Sequence, residues 1–381
     1  MFFSGSYNYP LGLDISDLSL KLVQLKKTGD KISIQALGKT NLPEGLFEDG
    51  EIKNKEKIIK AVNALIDKPK YGNTTSREVV TCLPESKTFI KLIEVQKTEE
   101  NILKTIEAEI EKHVPMEIDE IYFDWQLIKD LPDKRLILVG AAPRDIVNQY
   151  IDLLDEAKLS ITALEIEPVS LCRGLLAEEH YKFKGRTGKN YGIIDIGAKR
   201  SNMTVYSKNT ILFSFTMPIS GNEITKKIAE TLKIDARKAE KAKIICGLDK
   251  NKARGIIKNT LYGMIKELTA KINNSIMFYD RHFPDYGPID KILLCGGGAN
   301  IKNLDKILSE HLPVKVELGD ALINLNEDRQ KISKIFSETH SVNTDFSSKA
   351  KDKTSKITQN DSMAFATAIG LALRGVFIDE L

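Results

Sequence analysis

Hydrophobic and polar positions along the 381 residues run through the same order twice. In the first half, 11–14, 20–26 and 32–37 show strand-length apolar spacing, and Lys27-Thr28-Gly29-Asp30 supplies a turn between the last two. Ile58, Ile59, Val62, Leu65 and Ile66 then recur at helical spacing, which predicts a helix over 54–67. Glu78 to Leu83 reads as a buried strand closed by Pro84. In the second half, strands are predicted at 192–196, 202–207 and 210–216, and helices at 222–232, 236–245 and 252–281. A buried strand at Ile292–Cys295 and a helix from Ile301 to His311 follow.

Between the two series the pattern changes to a compact α+β unit. A strand at 89–95, a helix from Glu99 to His113, strands at 121–125 and 135–140, and a helix over 145–157 predict a small satellite domain inserted in the first lobe. Residues 326–361 are polar and read as a mobile loop. Ser362 to Ile378 is the most apolar stretch, but Ala364, Ala366, Ala368, Gly370, Ala372 and Arg374 suit a buried, closely packed helix. No uninterrupted apolar run reaches the ~18 residues of a membrane span, so no direct membrane insertion is expected.

Each series opens on a strand that ends in a carboxylate, turns tightly and returns as a strand. The two are Leu13-Asp14-Ile15-Ser16 before Leu20 to Leu25, and Ile194-Asp195-Ile196-Gly197 before Met203 to Tyr206. Such a turn aims backbone N–H groups into a concavity that suits an anion, and an aspartate there is placed to hold hydrated Mg²⁺ beside phosphate oxygens. A carboxylate at the end of an apolar strand needs a partner, because burying it alone is costly. Lys21, alone among apolar neighbours, reaches phosphate as a point charge or else guards a sheet edge. Gly296-Gly297-Gly298, after a strand and before a helix, would let a flat ligand or a phosphate approach the main chain. The spacing is neither G-x-G-x-x-G nor a Walker A loop, which disfavours both chemistries.

Composition narrows the picture. The length suits two domains of roughly 150 to 200 residues. Charged residues make up 29% and nearly balance at a net charge of +3, so an acidic polymer is not implied and nucleic acid is disfavoured. Cys82, Cys172, Cys246 and Cys295 lack C-x-x-C spacing, which points to a reduced cytosol rather than a zinc ribbon or disulfide scaffold. The five histidines lack ligand spacing, and G-x-S-x-G is missing, so acyl hydrolysis has no support.

The repeated strand-Asp-turn-strand, the late glycine loop and the closing Ala-Ile-Gly-Leu-Ala helix resemble the actin-like ATPase superfamily. Within it, Leu13-Asp14-Ile15 with Lys21 to Leu25, Glu111 to Pro115, Phe123-Asp124-Trp125-Gln126, Ala141 to Arg144 and Leu164 to Pro168 resemble the PilM family of type IV pilus assembly proteins. Gly192 to Thr204, Gly221-Asn222-Glu223 and Ala364 to Gly375 continue the match. The resemblance implies an α/β, actin-like (ribonuclease H-like) duplicated two-lobe fold with an inserted α+β 1C subdomain at 86–164. It places subdomain 1A at 1–85 and 165–190, lobe 2 at 191–361 and a C-terminal connecting helix at 362–381.

The resemblance also assigns roles. Asp14, Ser16, Ser19 and Lys21 would form the first phosphate turn, and Asp195, Gly197 and Asn202 the second, with Mg²⁺ held through water by Asp14 and Asp195. Gly221 would face the phosphates. Glu240 and Lys243 would contact ribose and adenine of ATP, and Gly297 and Gly298 would form the adenosine loop. Glu167 would orient the attacking water of an at most slow hydrolysis. The implied protein is a cytoplasmic ATP-binding scaffold of the inner-membrane pilus platform. It would take the PilN N-terminal peptide in a groove between 1A and 1C, reach PilO and possible pilus motor ATPases through that platform, and couple lobe closure to nucleotide. Two features depart from the family. Ser16-Asp17 stands where glycine usually follows Asp-Ile, and 326–361 replaces a shorter segment. The alternatives are an FtsA-like filament former tethered to membrane, a type II secretion homologue, and a small-molecule kinase.

Overall fold

The computed structural model describes residues 8–97, 102–114, 116–177, 188–217, 219–327, 332, 335, 336 and 359–377. The chain divides into two compact units, one of residues 1–88, 142–178 and 320–381, the other of residues 89–141 and 179–319.

The first unit is built on six strands. β1 (Leu11–Ser16), β2 (Ser19–Thr28) and β3 (Lys31–Asn41) form an antiparallel meander. β4 (Phe47–Glu48) and β5 (Glu51–Ile52) make a separate small ribbon, and β6 (Tyr71–Gly72) edges β3. β7 (Glu78–Leu83) runs parallel to β1 on its other side, and β11 (Ser160–Ile166) runs parallel to β7. Leu11, Leu13, Leu20 and Leu22 bury one face of the meander beneath the helices Lys55–Asp67 and Arg144–Glu156. Side chains alternate across a strand, so Gly12 and Asp14 face the other way. There the helix Ala366–Phe377 lies directly on β1: a Cβ on Gly12 would come 2.3 Å from the Ala368 carbonyl oxygen.

The same helix crosses the helix Glu167–Leu175 where two glycines meet, with Gly370 against the Ser170 carbonyl and Gly174 against that of Ala366. An ion cluster pins this crossing. Arg173 grips buried Glu165 with both Nη1 and Nη2 at 2.8 Å, Arg374 adds a third bond, and Arg173 Nη1 also donates to the Gly370 carbonyl at 3.0 Å. Burial alone would raise the Glu165 pKa, but the two guanidiniums outweigh it and hold the carboxyl below its usual range.

The second unit carries one eight-stranded sheet. Its centre is the meander β12 (Tyr191–Ile196), β13 (Ser201–Ser207) and β14 (Thr210–Met217), flanked in parallel by β15 (Lys291–Cys295) and then β16 (Lys315–Leu318). Beyond β14 the sheet continues into β8 (Phe89–Gln96), β10 (Lys134–Pro143) and β9 (Ile121–Asp130). The helices Gly221–Leu232, Ala236–Cys246, Ile256–His282 and Leu304–His311 share the apolar core of this unit. The short helix Ile102–Ile110 packs Ile106 and Ile110 on Ile93, Val95, Ile121, Ile137 and Val139.

The boundaries differ from the expected 86–164 insertion. β8 pairs with β14 at Phe213 and Lys91, so 89–141 joins the second unit. The helix Arg144–Glu156 and β11 join the first unit, because Ile146, Tyr150, Leu153 and Leu154 bury into its core and β11 hydrogen-bonds β7. Residues 320–327 also lie with the first unit, where the Asn326 amide donates to the Ile32 carbonyl at 2.9 Å and the Ile32 amide donates back to Asn326 Oδ1. Most of the expected loop 326–361, and residues 99–101 of the helix expected from Glu99, lie outside the described residues. Among the described residues no helix is long and apolar enough to cross a membrane.

Candidate functional site

In the first unit, the strand register places Asp14 opposite Lys21 and Lys21 opposite Lys39, so three charged residues form a row across β1, β2 and β3 on one face. Asp14 is 3% exposed and is held by Lys21 Nζ at 2.6 Å and by Ser16 Oγ at 2.7 Å. Lys21 also donates to Ser16 Oγ at 3.2 Å. The turn closes between paired Ser16 and Ser19 without a positive φ at Ser16, Asp17 or Leu18. The serine in place of glycine therefore strains nothing, and its hydroxyl is used to hold Asp14. Lys39 was not singled out from sequence. Burial, then the neighbouring Lys21 charge, push its pKa down to about 8 against the pull of Asp14.

Asp14 also meets Cys82 from β7 and Glu167 from the start of its helix; one ligand atom from each lies within 4.8 Å of the others. Burial, followed by the Glu167 and Asp14 charges, raises the Cys82 thiol pKa well above its ordinary value, which favours the protonated thiol. Glu167 Oε1 accepts a bond from Thr367 Oγ1 at 3.1 Å.

In the second unit, Asp195 on β12 is paired with Asn202 on β13. Asn202 is 8% exposed, and its Oδ1 and the neighbouring Ser201 Oγ are buried without a hydrogen-bond partner. The turn is closed by the Gly197 amide donating to the Arg200 carbonyl at 2.8 Å, and a Cβ on Gly197 would meet that oxygen at 2.7 Å.

Gly221 opens its helix against the second turn. Its amide donates to the Gly197 carbonyl at 2.9 Å, and the Asn222 amide donates to that of Ala198 at 2.8 Å, so the helix start braces the turn. Ser220 caps this helix by accepting from the Glu223 amide at 3.2 Å. Lys243, 7% exposed, reaches back from the next helix to the Gly221 carbonyl at 3.0 Å, Thr225 Oγ1 at 2.9 Å and Glu240 at 2.7 Å. Thr225 joins Glu240 and Lys243 in one network and was not singled out from sequence. Its one-turn spacing from Gly221 would have been the only signal.

The three glycines of the loop differ in what they meet. Gly296 has φ +77° and its Cβ would fall 2.0 Å from Asp195 Oδ1; that of Gly298 would fall 2.2 Å from Ile196 Cγ2. Gly297 has nothing within 4 Å. Two glycines let the loop close on β12, and the third leaves open space over the main chain.

Both aspartates carry partners: Asp195 Oδ1 accepts a weak bond from Cys295 Sγ at 3.8 Å. Both oxygens of Asp14 are engaged by Lys21 and Ser16, which a cation would have to displace. Beside Asp195 lies the unpartnered carbonyl oxygen of Asn202, a hard donor of the kind that hydrated Mg²⁺ takes.

A family model described as type IV pilus assembly protein PilM matches residues 12–376. Among solved structures, the chain is similar to one described as the PilM-PilN type IV pilus biogenesis complex. The identity is 21% over 97% of this chain and 99% of that one, with a TM-score of 0.77. It is also similar to the ethanolamine utilization protein EutJ from Carboxydothermus hydrogenoformans, at 16% identity over 83% of this chain and 87% of that one and a TM-score of 0.50. The fold is the actin-like α/β fold.

Proposed function

The chain belongs to the PilM family of type IV pilus assembly proteins, and from that premise we propose that it is an ATP-binding scaffold. Its place would be on the cytoplasmic side of the inner-membrane platform, where it holds the N-terminal peptide of PilN. The observation that carries the nucleotide part is the second turn: a carboxylate paired with a buried, unpartnered amide oxygen, under a glycine loop with one open position. Lys21 and Lys39 supply positive charge at the first turn for phosphate. The partner part is supported by the similarity to a structure described as a PilM-PilN complex. In this reading Asp195 and Asn202 hold Mg²⁺ through water, Ser19 and Lys21 approach phosphate, Glu240 and Lys243 flank the sugar and base, and Glu167, oriented by Thr367, positions water for slow hydrolysis. Lobe closure coupled to nucleotide is the link to the peptide.

The test is calorimetry on the full chain with Mg-ATP and with a synthetic PilN N-terminal peptide, each alone and together. Asp195→Asn should weaken Mg-ATP binding about tenfold or more, equivalent to ~1.4 kcal/mol. A wild-type chain that takes up no Mg-ATP removes the nucleotide reading; one that takes up no peptide in either state removes the partner reading.

Lys39 gives a pH signature. Its charge is lost as pH rises through about 8, so phosphate affinity should fall several-fold between pH 7 and 9 and stay flat in Lys39→Met. The sign for stability is opposite. Between about 8 and 10.5 the unfolded chain binds the proton that the folded one has lost, so stability rises with pH through that window. Titration of ADP at the two pH values checks the first effect, and urea melts check the second. Equal pH dependence in wild type and Lys39→Met would sink the assignment.

A further inference from the structure

The helix Ala236–Cys246 buries Ala239 and Lys243 and turns the opposite side outward. Positions four and three apart share a helix face, so Arg237, Lys241, Ile244 and Ile245 lie together on that outer side. Ile244 is 63% exposed and Ile245 61%, unusual for isoleucine. The chain then makes tight turns, with Asp249 donating to the Cys246 carbonyl, Lys252 to that of Asp249 and Gly255 to that of Lys252, before the next helix opens on Ile256, 46% exposed. Ala253 and Arg254 both sit at positive φ, 43° and 51°, an uncommon pair for non-glycine residues. The tip where the two helices meet therefore carries three exposed isoleucines.

The charge of this segment is net positive. Lys241, Lys250, Lys252 and Arg254 are exposed. Each acid of the same segment has an ion-pair partner: exposed Asp235 with Lys238, half-exposed Glu240 with Lys243, and Asp249 with Lys302. Exposed aliphatics in a segment of exposed cations match a bilayer surface bearing anionic headgroups, where side chains sink to the acyl boundary and lysines stay among the phosphates. Nucleic acid is matched less well, since the apolar members are aliphatic and offer no ring for base stacking.

We propose that this tip is a lipid-docking surface, through which the protein rests on an anionic membrane without inserting a helix. It gives the chain a membrane contact of its own, beyond any partner protein. The proposal uses none of the residues assigned to nucleotide or peptide, so either reading can fail without the other.

Co-sedimentation of the full chain tests it, using vesicles of about one-third phosphatidylglycerol in phosphatidylcholine against phosphatidylcholine alone. Wild type should pellet with the anionic vesicles and be released by high salt. Each removed cation should weaken binding about fivefold, so K250E/K252E/R254E should abolish it, at more than about 100-fold. I244S/I245S should weaken it at least about tenfold. All these positions are at the surface, and circular dichroism with an unchanged urea midpoint confirms the fold. The proposal is overturned by no binding to anionic vesicles, by equal binding to neutral ones, or by indifference to I244S/I245S. Equally tight binding of polyglutamate or duplex DNA that ignores the isoleucine changes would make the tip a plain polyanion surface and also overturn it.

Discussion

Gly370→Ala should destabilise the first unit by about 3 kcal/mol or more, lowering its thermal midpoint by roughly 6 to 12 °C. A Cβ built there would lie 1.8 Å from the Ser170 carbonyl oxygen and 2.6 Å from its carbon, and both belong to the backbone of a helix that has no room to retreat. That helix carries Arg173, whose guanidinium is bonded both to Glu165 and to the Gly370 carbonyl. Pushing the two helices apart lengthens those bonds around a carboxylate that is 5% exposed, and a buried charge that loses a partner is expensive. The displacement would also reach β1, because the same helix lies on Gly12. Gly263→Ala is the control. It also replaces a helical glycine, but its Cβ would find nothing within 4 Å, so it should be neutral or stabilising by about 0.5 to 1 kcal/mol. Differential scanning calorimetry of the three proteins decides the matter, and equal midpoints would refute close packing at Gly370.

The small-residue run that fixes this crossing was readable in the sequence as a buried helix, because Ala366, Ala368, Gly370 and Ala372 leave little side chain to hold helices apart. The two meanders were equally legible, since their apolar alternation is local and their carboxylates stand out at the strand ends. What could not be read was register. Counting back from the Thr28–Lys31 end of the hairpin, Lys21 would face Gly38; an irregularity between Gln24 and Leu25 shifts the pairing by one and brings Lys39 opposite Lys21 instead. A slip of one residue exchanges the faces of a strand, so the charged row depends on a bulge that has no clear sequence signature.

The sheet that the satellite strands join was hidden for a related reason. Periodicity identifies β8 and β10 as strands but is silent on which sheet accepts them, and the answer rests on pairing with β14, more than a hundred residues away. The roles of Gly221 and Lys243 were hidden similarly. A lysine-rich helix reads as a solvated face, and only the fold shows Lys243 turned inward, its ammonium satisfied by the Gly221 carbonyl and Thr225. The candidate site is thus legible where a carboxylate stands out at a strand end. It is illegible where a residue acts by holding another.

The glycine loop separates these two kinds of role within three consecutive residues, and substitution by alanine should separate them in solution. Gly298→Ala should lower stability by about 2 to 3 kcal/mol, because its methyl would lie 2.2 Å from Ile196 Cγ2 and 2.8 Å from Ile196 Cβ, neither a flexible chain end. Gly296→Ala should match or exceed that loss. It adds the strain of φ +77° to a contact of 2.7 Å with the Ile196 carbonyl, and it would push against the carboxylate of Asp195. Both variants should bind Mg-ATP poorly for a structural reason, visible as lowered urea midpoints. Gly297→Ala should melt with wild type, within about 0.5 kcal/mol, since its methyl enters open space. Its nucleotide affinity should nonetheless fall about tenfold or more, because that space is where a base or phosphate would approach the main chain. The paired measurement is a urea melt and a Mg-ATP titration on each variant. Unchanged affinity in Gly297→Ala would move the nucleotide off the loop and leave all three glycines to the packing of β12, whereas the expected split makes Gly297 alone the position kept small for a ligand.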